Sequence, residues 1–227
     1  MHLVLFCLLG CENIPFSIPS GKKIFTFIAI DNSRSNVDNE QNRKKSQEIC
    51  KSVVKKQGVI DELILVEFDS DADNPKPRSL KNSSDDSRTA FIKDECSVVA
   101  TRASKLADPG TDIKSTFQNQ FKSIDPSLSS KTQSEPKIAY VFIFSVDALE
   151  GAQYQPENPK VIEFKSSVGK FLESGNFLLI FVNDDTDREK LSRFLKDFVT
   201  KYKERLYIGD AKNYQKKISQ IYADARK

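Results

Sequence analysis

The feature that most constrains the fold is a series of apolar segments that alternate with helix-forming segments. The apolar runs occupy residues 23–30, 62–68, 137–145, 176–183 and 205–209. Because these runs are continuous instead of alternating with polar residues, each is typical of a strand covered on both faces, as in a parallel sheet. Helix-forming segments occupy residues 40–57, 87–106, 159–174, 187–204 and 211–226. Strand then helix, repeated, predicts a Rossmann-like, doubly wound α/β sandwich.

The length of the chain predicts one domain. A chain of 227 residues can bury one sizeable core and is short for two. We expect that domain over residues 22–227, with residues 1–21 outside it. A short edge strand near residues 78–80 would complete a six-stranded, mostly parallel sheet flanked by helices. Two polar segments, 69–87 and 125–136, are expected to be surface loops.

Charge and histidine content exclude several classes of function. Lys and Arg number 35 against 32 Asp and Glu, a net charge of +3, so no strong field favours nucleic acid or anionic lipid. His2 is the single histidine, which excludes Ser-His-Asp and Cys-His nucleophiles and a His-ligated zinc site. No glycine-rich phosphate loop follows any apolar run. These features favour a binding domain over an enzyme.

The N-terminal segment "MHLVLFCLLGC" differs from the rest of the chain. Its apolar run is too short to span a bilayer, which takes about 20 residues. One interpretation is a buried first strand. The other is that "LLGC" resembles the lipobox of bacterial lipoprotein signal peptides, which are cut before the cysteine. That resemblance implies a lipid anchor on Cys11, a short tether after it, and a place in the bacterial cell envelope; the alternative is a cytoplasmic protein.

Cys50 and Cys96 are the two cysteines within the predicted domain. No C-x-x-C pair exists, so neither a redox motif nor a four-cysteine zinc site is available. Both lie in helix-like, largely apolar surroundings, and we expect them to be buried and structural. The sequence leaves open whether they are free or bonded.

Oxygen-bearing side chains gather where predicted strands end. In "FIAIDNSRSN" the apolar run stops at Asp31, and Ser33 and Ser35 follow. Asp147 follows the run at 137–145, and Thr111 lies in "ADPGTDIKS". Binding residues of open α/β sheets lie at the carboxyl ends of strands, and oxygen ligands suit hard cations such as Mg²⁺. Aspartate and serine also cap helices, so the first loop alone leaves a purely capping role open.

These three loops together resemble the von Willebrand factor A domain. The likeness rests on D-x-S-x-S after a buried strand, G-T-D about 75 residues later, and an aspartate after the next long strand, and it covers residues 22–227. It implies a metal-ion-dependent adhesion site. Ser33 and Ser35 would bind the cation through their hydroxyls, Asp31 and Asp147 mostly through water, and Thr111 directly or through water. The implied cation is Mg²⁺, with Mn²⁺ or Ca²⁺ as alternatives, and one position is left for an acidic side chain of a protein ligand.

The chain departs from the family pattern at two points. Arg34 lies inside the first loop, and we expect it to point outward because a cation would repel the metal. In "FSVDALEG", Asp147 is displaced by one residue relative to Ser145.

Two alternative functions stay open. One is a scaffold of the same fold that has lost the metal. The other is a Mg²⁺-dependent hydrolase of the haloacid-dehalogenase type, which keeps a nucleophilic aspartate after its first strand. Those hydrolases carry a second aspartate two residues later, where this chain has Ser33.

Overall fold

The computed structural model describes residues 22–68, 77–81, 83–101, 112–129, 138–147 and 158–227. Six strands form one sheet in the order β3-β2-β1-β4-β5-β6. Their bounds are β1 Lys23–Asp31, β2 Glu62–Phe68, β3 Arg78–Leu80, β4 Ile138–Val146, β5 Phe177–Val182 and β6 Leu206–Gly209. Strand β3 pairs antiparallel with β2, and the other pairings are parallel. The predicted doubly wound, mostly parallel sheet and its short edge strand are confirmed, and the structure shows that this edge strand runs antiparallel.

Helices cover both faces of the sheet. Their bounds are α1 Arg34–Asp38, α2 Glu40–Val54, α3 Asp85–Phe91, α4 Ile113–Ser129, α5 Pro159–Glu173, α6 Asp185–Phe194, α7 Lys196–Lys201 and α8 Tyr214–Ala225. A π-helical turn, Ile92–Cys96, continues α3, and a 3-10 turn, Ala211–Asn213, precedes α8. No helix in the described part of the chain is long and apolar enough to cross a membrane.

The two faces of the sheet bury different side chains. The face covered by α2, α3 and α8 is largely aliphatic, with residues such as Ile28, Val53 and Leu65. The face covered by α4 to α7 is rich in aromatic rings. Phe117 of α4 lies at its centre, in ring contact with Phe121, Phe142, Phe144, Phe164 and Phe171. Strands buried on both faces explain why the apolar runs are continuous in the sequence.

Several predicted helix bounds are wrong. The predicted helix 187–204 is two helices, because fully buried Leu195 adopts φ −98° and ψ 17° and ends α6. Helix α4 lies outside the predicted helical segments and continues into the predicted loop 125–136. Within the predicted helix 87–106, the α-helix ends at Phe91 and the π-helical turn continues to Cys96. The chain turns after Cys96, so the predicted helix does not continue.

That turn is held in place by three contacts with the rest of the fold. Cys96 forms a disulfide with Cys50 of α2, with a Cα–Cα distance of 5.5 Å, and both residues are fully buried. Ala100 adopts a left-handed backbone with φ 54°, and its N–H donates to Glu67 Oε1 at 2.7 Å. Gln47 Nε2 donates to the Val99 carbonyl at 3.3 Å. The expectation of buried, structural cysteines is confirmed, and the cysteines are bonded to each other.

Helix α8 closes the aliphatic face through a buried polar contact. Tyr222 Oη lies 2.5 Å from Thr26 Oγ1 of β1 and accepts from Gln57 Nε2 at 2.6 Å. Burial raises the pKa of the Tyr222 phenol far above its usual value, so the hydroxyl stays protonated. Asp61, also fully buried, pairs with Arg226 at 2.6 Å just beyond the helix.

Candidate metal-binding site

The carboxyl ends of the two central strands carry two of the predicted ligands. Asp31 is the last residue of β1, and β4 lies beside β1 in parallel. The register pairs Ile30 with Ser145, which places Asp31 beside Val146 of β4. Asp147 is the next residue along the chain. Asp31 is fully buried and Asp147 is 8% exposed. The one-residue displacement noted in the sequence therefore does not separate the two carboxyl groups.

Hydrogen bonds join four of the five predicted ligands. The Asp147 N–H donates to Asp31 Oδ2 at 3.3 Å, and the Ser33 N–H donates to Asp31 Oδ1 at 2.8 Å. Ser33 Oγ and Ser35 Oγ lie 3.1 Å apart, within hydrogen-bonding distance. The structure thus brings Asp31, Ser33, Ser35 and Asp147 together at one edge of the sheet. Thr111, the fifth predicted ligand, and the predicted lipidation site Cys11 lie outside the described residues.

Ser33 stands at the N-cap of α1 but does not cap the helix with its side chain. The capping alternative requires the Ser33 hydroxyl to accept a backbone N–H of the first turn, and that bond is not formed. By contrast, four other helices are capped by such side-chain bonds: α2 by Asn39, α3 by Ser84, α5 by Asn158 and α6 by Asp184. The Ser33 hydroxyl is therefore directed to Ser35 instead of to the helix backbone.

The carboxyl groups of Asp31 and Asp147 adjoin each other and interact electrostatically. Burial raises the pKa of the Asp31 carboxyl well above its usual range, and the hydrogen-bonded carboxyl of Asp147 with its charge raises that pKa further. Hydrogen bonds from Ser33 oppose the shift only in part. Two adjoining carboxylates repel each other when both are ionised, and a cation between them removes that repulsion.

The fold of this chain is similar to folds of solved structures. No protein-family model and no curated protein matches the chain. Among solved structures, it is similar to a von Willebrand factor type A protein from Catenulispora acidiphila, with a TM-score of 0.57 and 12% identity over 90% of this chain and 43% of that one. The chain has a von Willebrand factor A-like fold.

Two further solved structures share this von Willebrand factor A-like fold. The pilus adhesin SpaC from Lactobacillus rhamnosus GG has a TM-score of 0.53 and 11% identity, over 90% of this chain and 30% of that one. Proximal thread matrix protein 1 from the mussel byssus has a TM-score of 0.52 and 12% identity, over 89% of this chain and 46% of that one. This chain spans less than half the length of each of the three proteins.

The donor atoms of this candidate site fit a small hard cation. Two carboxyl groups and two hydroxyl groups supply oxygen alone, which suits Mg²⁺, Mn²⁺ or Ca²⁺ better than zinc or copper. Among the described residues, no three side chains of the His, Cys, Asp and Glu types cluster as a metal site. Arg34 is exposed, as expected from its unfavourable charge.

Asn36 adjoins these side chains and was not recognisable from the sequence. It is fully buried in α1, and its Nδ2 donates to the Asp31 carbonyl at 2.6 Å. Its Oδ1 is buried and has no hydrogen-bond partner in the part of the chain that the structure describes. The only feature of the sequence that points to Asn36 is its place directly after the D-x-S-x-S segment.

Proposed function

We propose that this protein is a protein-binding domain, of the adhesion or scaffold type, whose binding depends on a divalent cation. The observation that carries the proposal is the convergence of Asp31, Ser33, Ser35 and Asp147 at the carboxyl edge of the sheet. These residues, with Thr111, would hold the cation, and Mg²⁺ suits their oxygen atoms.

The ligand types explain how such a site would recognise a partner. Hydroxyl groups coordinate a cation without cancelling its charge. A cation bound directly by the two serines, with Asp31 and Asp147 reaching it mostly through water, would keep affinity for one more anionic ligand. The partner that fits is a protein presenting an acidic side chain. Exposed Arg34, directly between the two serines in the sequence, adds positive charge near the open side of the site.

The proposed place of the protein is the bacterial cell envelope, with a lipid anchor on Cys11. The buried Cys50–Cys96 disulfide supports an oxidising compartment, because such bonds persist in the periplasm and at cell surfaces and are rare in the cytosol. The lipobox-like "LLGC" supports attachment through lipid.

Calorimetry on EDTA-treated protein tests the cation. We expect one Mg²⁺ or Mn²⁺ site of modest affinity, and Asp31→Asn should weaken that affinity by at least about tenfold, because it removes charge at the centre of the ligand set. The matched control is Asp61→Asn. Asp61 is equally buried but lies at the opposite edge of the sheet, where it accepts the Ile24 N–H at 2.9 Å. This control should lower stability and leave cation affinity unchanged.

Capture of partners from envelope extract, with and without EDTA, extends the same test. Wild-type protein should retain its partner only without EDTA, and Asp31→Asn should lose it in both conditions. Absence of cation binding at millimolar concentration, or equal capture of the partner in EDTA, would contradict the proposal and leave the metal-free scaffold in its place.

A further inference from the structure

The Asn36 side chain has one satisfied end and one unsatisfied end. Its Nδ2 donates to the Asp31 carbonyl at 2.6 Å. A carbonyl oxygen can only accept, so the amide nitrogen must be the atom facing it, and the amide orientation follows. The Asn36 Oδ1 then faces away from that carbonyl, in a fully buried position, without a partner among the described residues.

A buried acceptor without a donor is costly. Leaving such a group unpaired forfeits the hydrogen bond that it makes to water in the unfolded chain. A helix places the side chain of its third residue where it can reach back to the N-cap N–H, and Asn36 occupies that position in α1. The Ser33 N–H already donates to Asp31 Oδ1, so it supplies no donor to Asn36 Oδ1. The Asn36 amide donates to the backbone carbonyl of Asp31, whose carboxyl group belongs to the candidate site.

We propose that Asn36 is a further positioning residue of the cation site, and that its Oδ1 accepts a hydrogen bond from water bound to the cation. This inference rests on the proposed function. Mg²⁺ keeps several of its waters when proteins bind it, so a hydrated ion supplies the donor that Oδ1 lacks. Residues that hydrogen-bond to the ligands of a metal, without binding the metal themselves, typically change metal affinity by 10–100-fold when they are removed.

Two substitutions separate this role from a purely structural one. Asn36→Leu removes both the donor to the Asp31 carbonyl and the acceptor, in a side chain of similar size. Asn36→Asp also removes the donor, but it keeps an acceptor oxygen. If Asn36 only fixes the Asp31 backbone, both variants should bind the cation more weakly than wild type, because both lose the Nδ2 donor, although the added negative charge of Asn36→Asp offsets part of its loss.

The measurement is Mg²⁺ titration calorimetry of each variant, with urea unfolding in EDTA as a check of the cation-free fold. We expect Asn36→Leu to bind Mg²⁺ about 10–100-fold more weakly and Asn36→Asp to bind at least as tightly as wild type. Gln57→Leu is the matched control: Gln57 Oε1 is also buried and unpaired among the described residues, but it lies by Thr26 and Tyr222. Gln57→Leu should leave Mg²⁺ affinity unchanged.

Each other outcome has a definite meaning. Weaker binding than wild type in both Asn36→Leu and Asn36→Asp would overturn the inference and leave Asn36 as a support of the Asp31 backbone. Wild-type affinity in Asn36→Leu would overturn it as well, while the cation-dependent function would stand. Failure of the wild-type protein to bind any divalent cation would overturn the proposed function, and this inference with it.

Discussion

At the scale of single residues, the two serines of the first loop are not equivalent. Ser33 is buried and Ser35 is exposed, although their hydroxyls lie 3.1 Å apart. A cation held by both would have the protein on the side of Ser33 and solvent on the side of Ser35. A partner would therefore approach from the side of Ser35.

Lipidation is a property of one residue, Cys11. In a lipoprotein-competent bacterium, with an adequate upstream signal, the protein should incorporate radiolabelled palmitate. Cys11→Ser should abolish the label, because the lipobox-like segment offers this cysteine as the acceptor. Cys7→Ser is the control and should keep the label. Labelling that survives Cys11→Ser, or a soluble cytoplasmic product, would refute the anchor.

The sequence could reveal some residues of the candidate site and not others. Asp31, Ser33 and Ser35 are recognisable because they lie within five consecutive positions after an apolar run. Asp147 was predicted despite its shift, and the register between β1 and β4 accounts for its place. Asn36 could not be predicted, because its importance depends on a contact with the Asp31 carbonyl and on burial that only the fold creates.

At the scale of elements, helix α8 is attached to the sheet by both apolar and polar contacts. Ile218 and Ile221 are buried in the aliphatic core, and Tyr222 reaches Thr26 and Gln57. The apolar stripe of this helix is evident in the sequence. Its polar partners are not, because they lie far away in the chain and no periodicity links them.

Tyr222→Phe tests the polar attachment. The change leaves Gln57 and Thr26 without the hydroxyl they contact in a buried place, so unfolding free energy should fall by about 1–3 kcal/mol. Tyr214→Phe on the same helix is the control. Its hydroxyl accepts only an exposed Gln215 amide among the described contacts, so its effect should stay within about 0.5 kcal/mol. Urea unfolding measures both, and equal values would show that the buried contact does not stabilise the fold.

Helix ends were the least predictable elements for a physical reason. Apolar spacing continues through Leu195, so the pattern cannot show the break between α6 and α7. The chain after Cys96 turns because of the disulfide and the Glu67–Ala100 contact, which are tertiary. Helix α4, by contrast, carried a readable signal, since Ile113, Phe117, Phe121 and Ile124 recur at spacings of four, four and three.

At the scale of the whole molecule, the Cys50–Cys96 disulfide closes a large loop. It joins α2, which follows the candidate site, to the turn beyond β3, across a sequence separation of 46 residues. Cross-linking a loop of this size is expected to stabilise a fold by about 4 kcal/mol, through the entropy of the unfolded chain.

Replacing both cysteines by serine tests this contribution. The double variant should unfold with a free energy lower by about 4 kcal/mol, or fail to fold when stability is marginal. The control is wild-type protein unfolded with and without a reducing agent, which should show the same difference. Labelling of Cys50 and Cys96 by a thiol reagent in the denatured, unreduced protein, with no effect of the reducing agent on stability, would contradict the bond.

The contact between Thr26 and Tyr222 has a consequence for synthesis of the chain. The two residues are separated by 196 positions, so the partner of Thr26 is synthesised 196 residues later. At about 5–20 residues per second, Thr26 waits roughly 10–40 s after it leaves the ribosome. During that interval β1 cannot complete its native contacts. The nascent chain therefore stays accessible to chaperones throughout that interval.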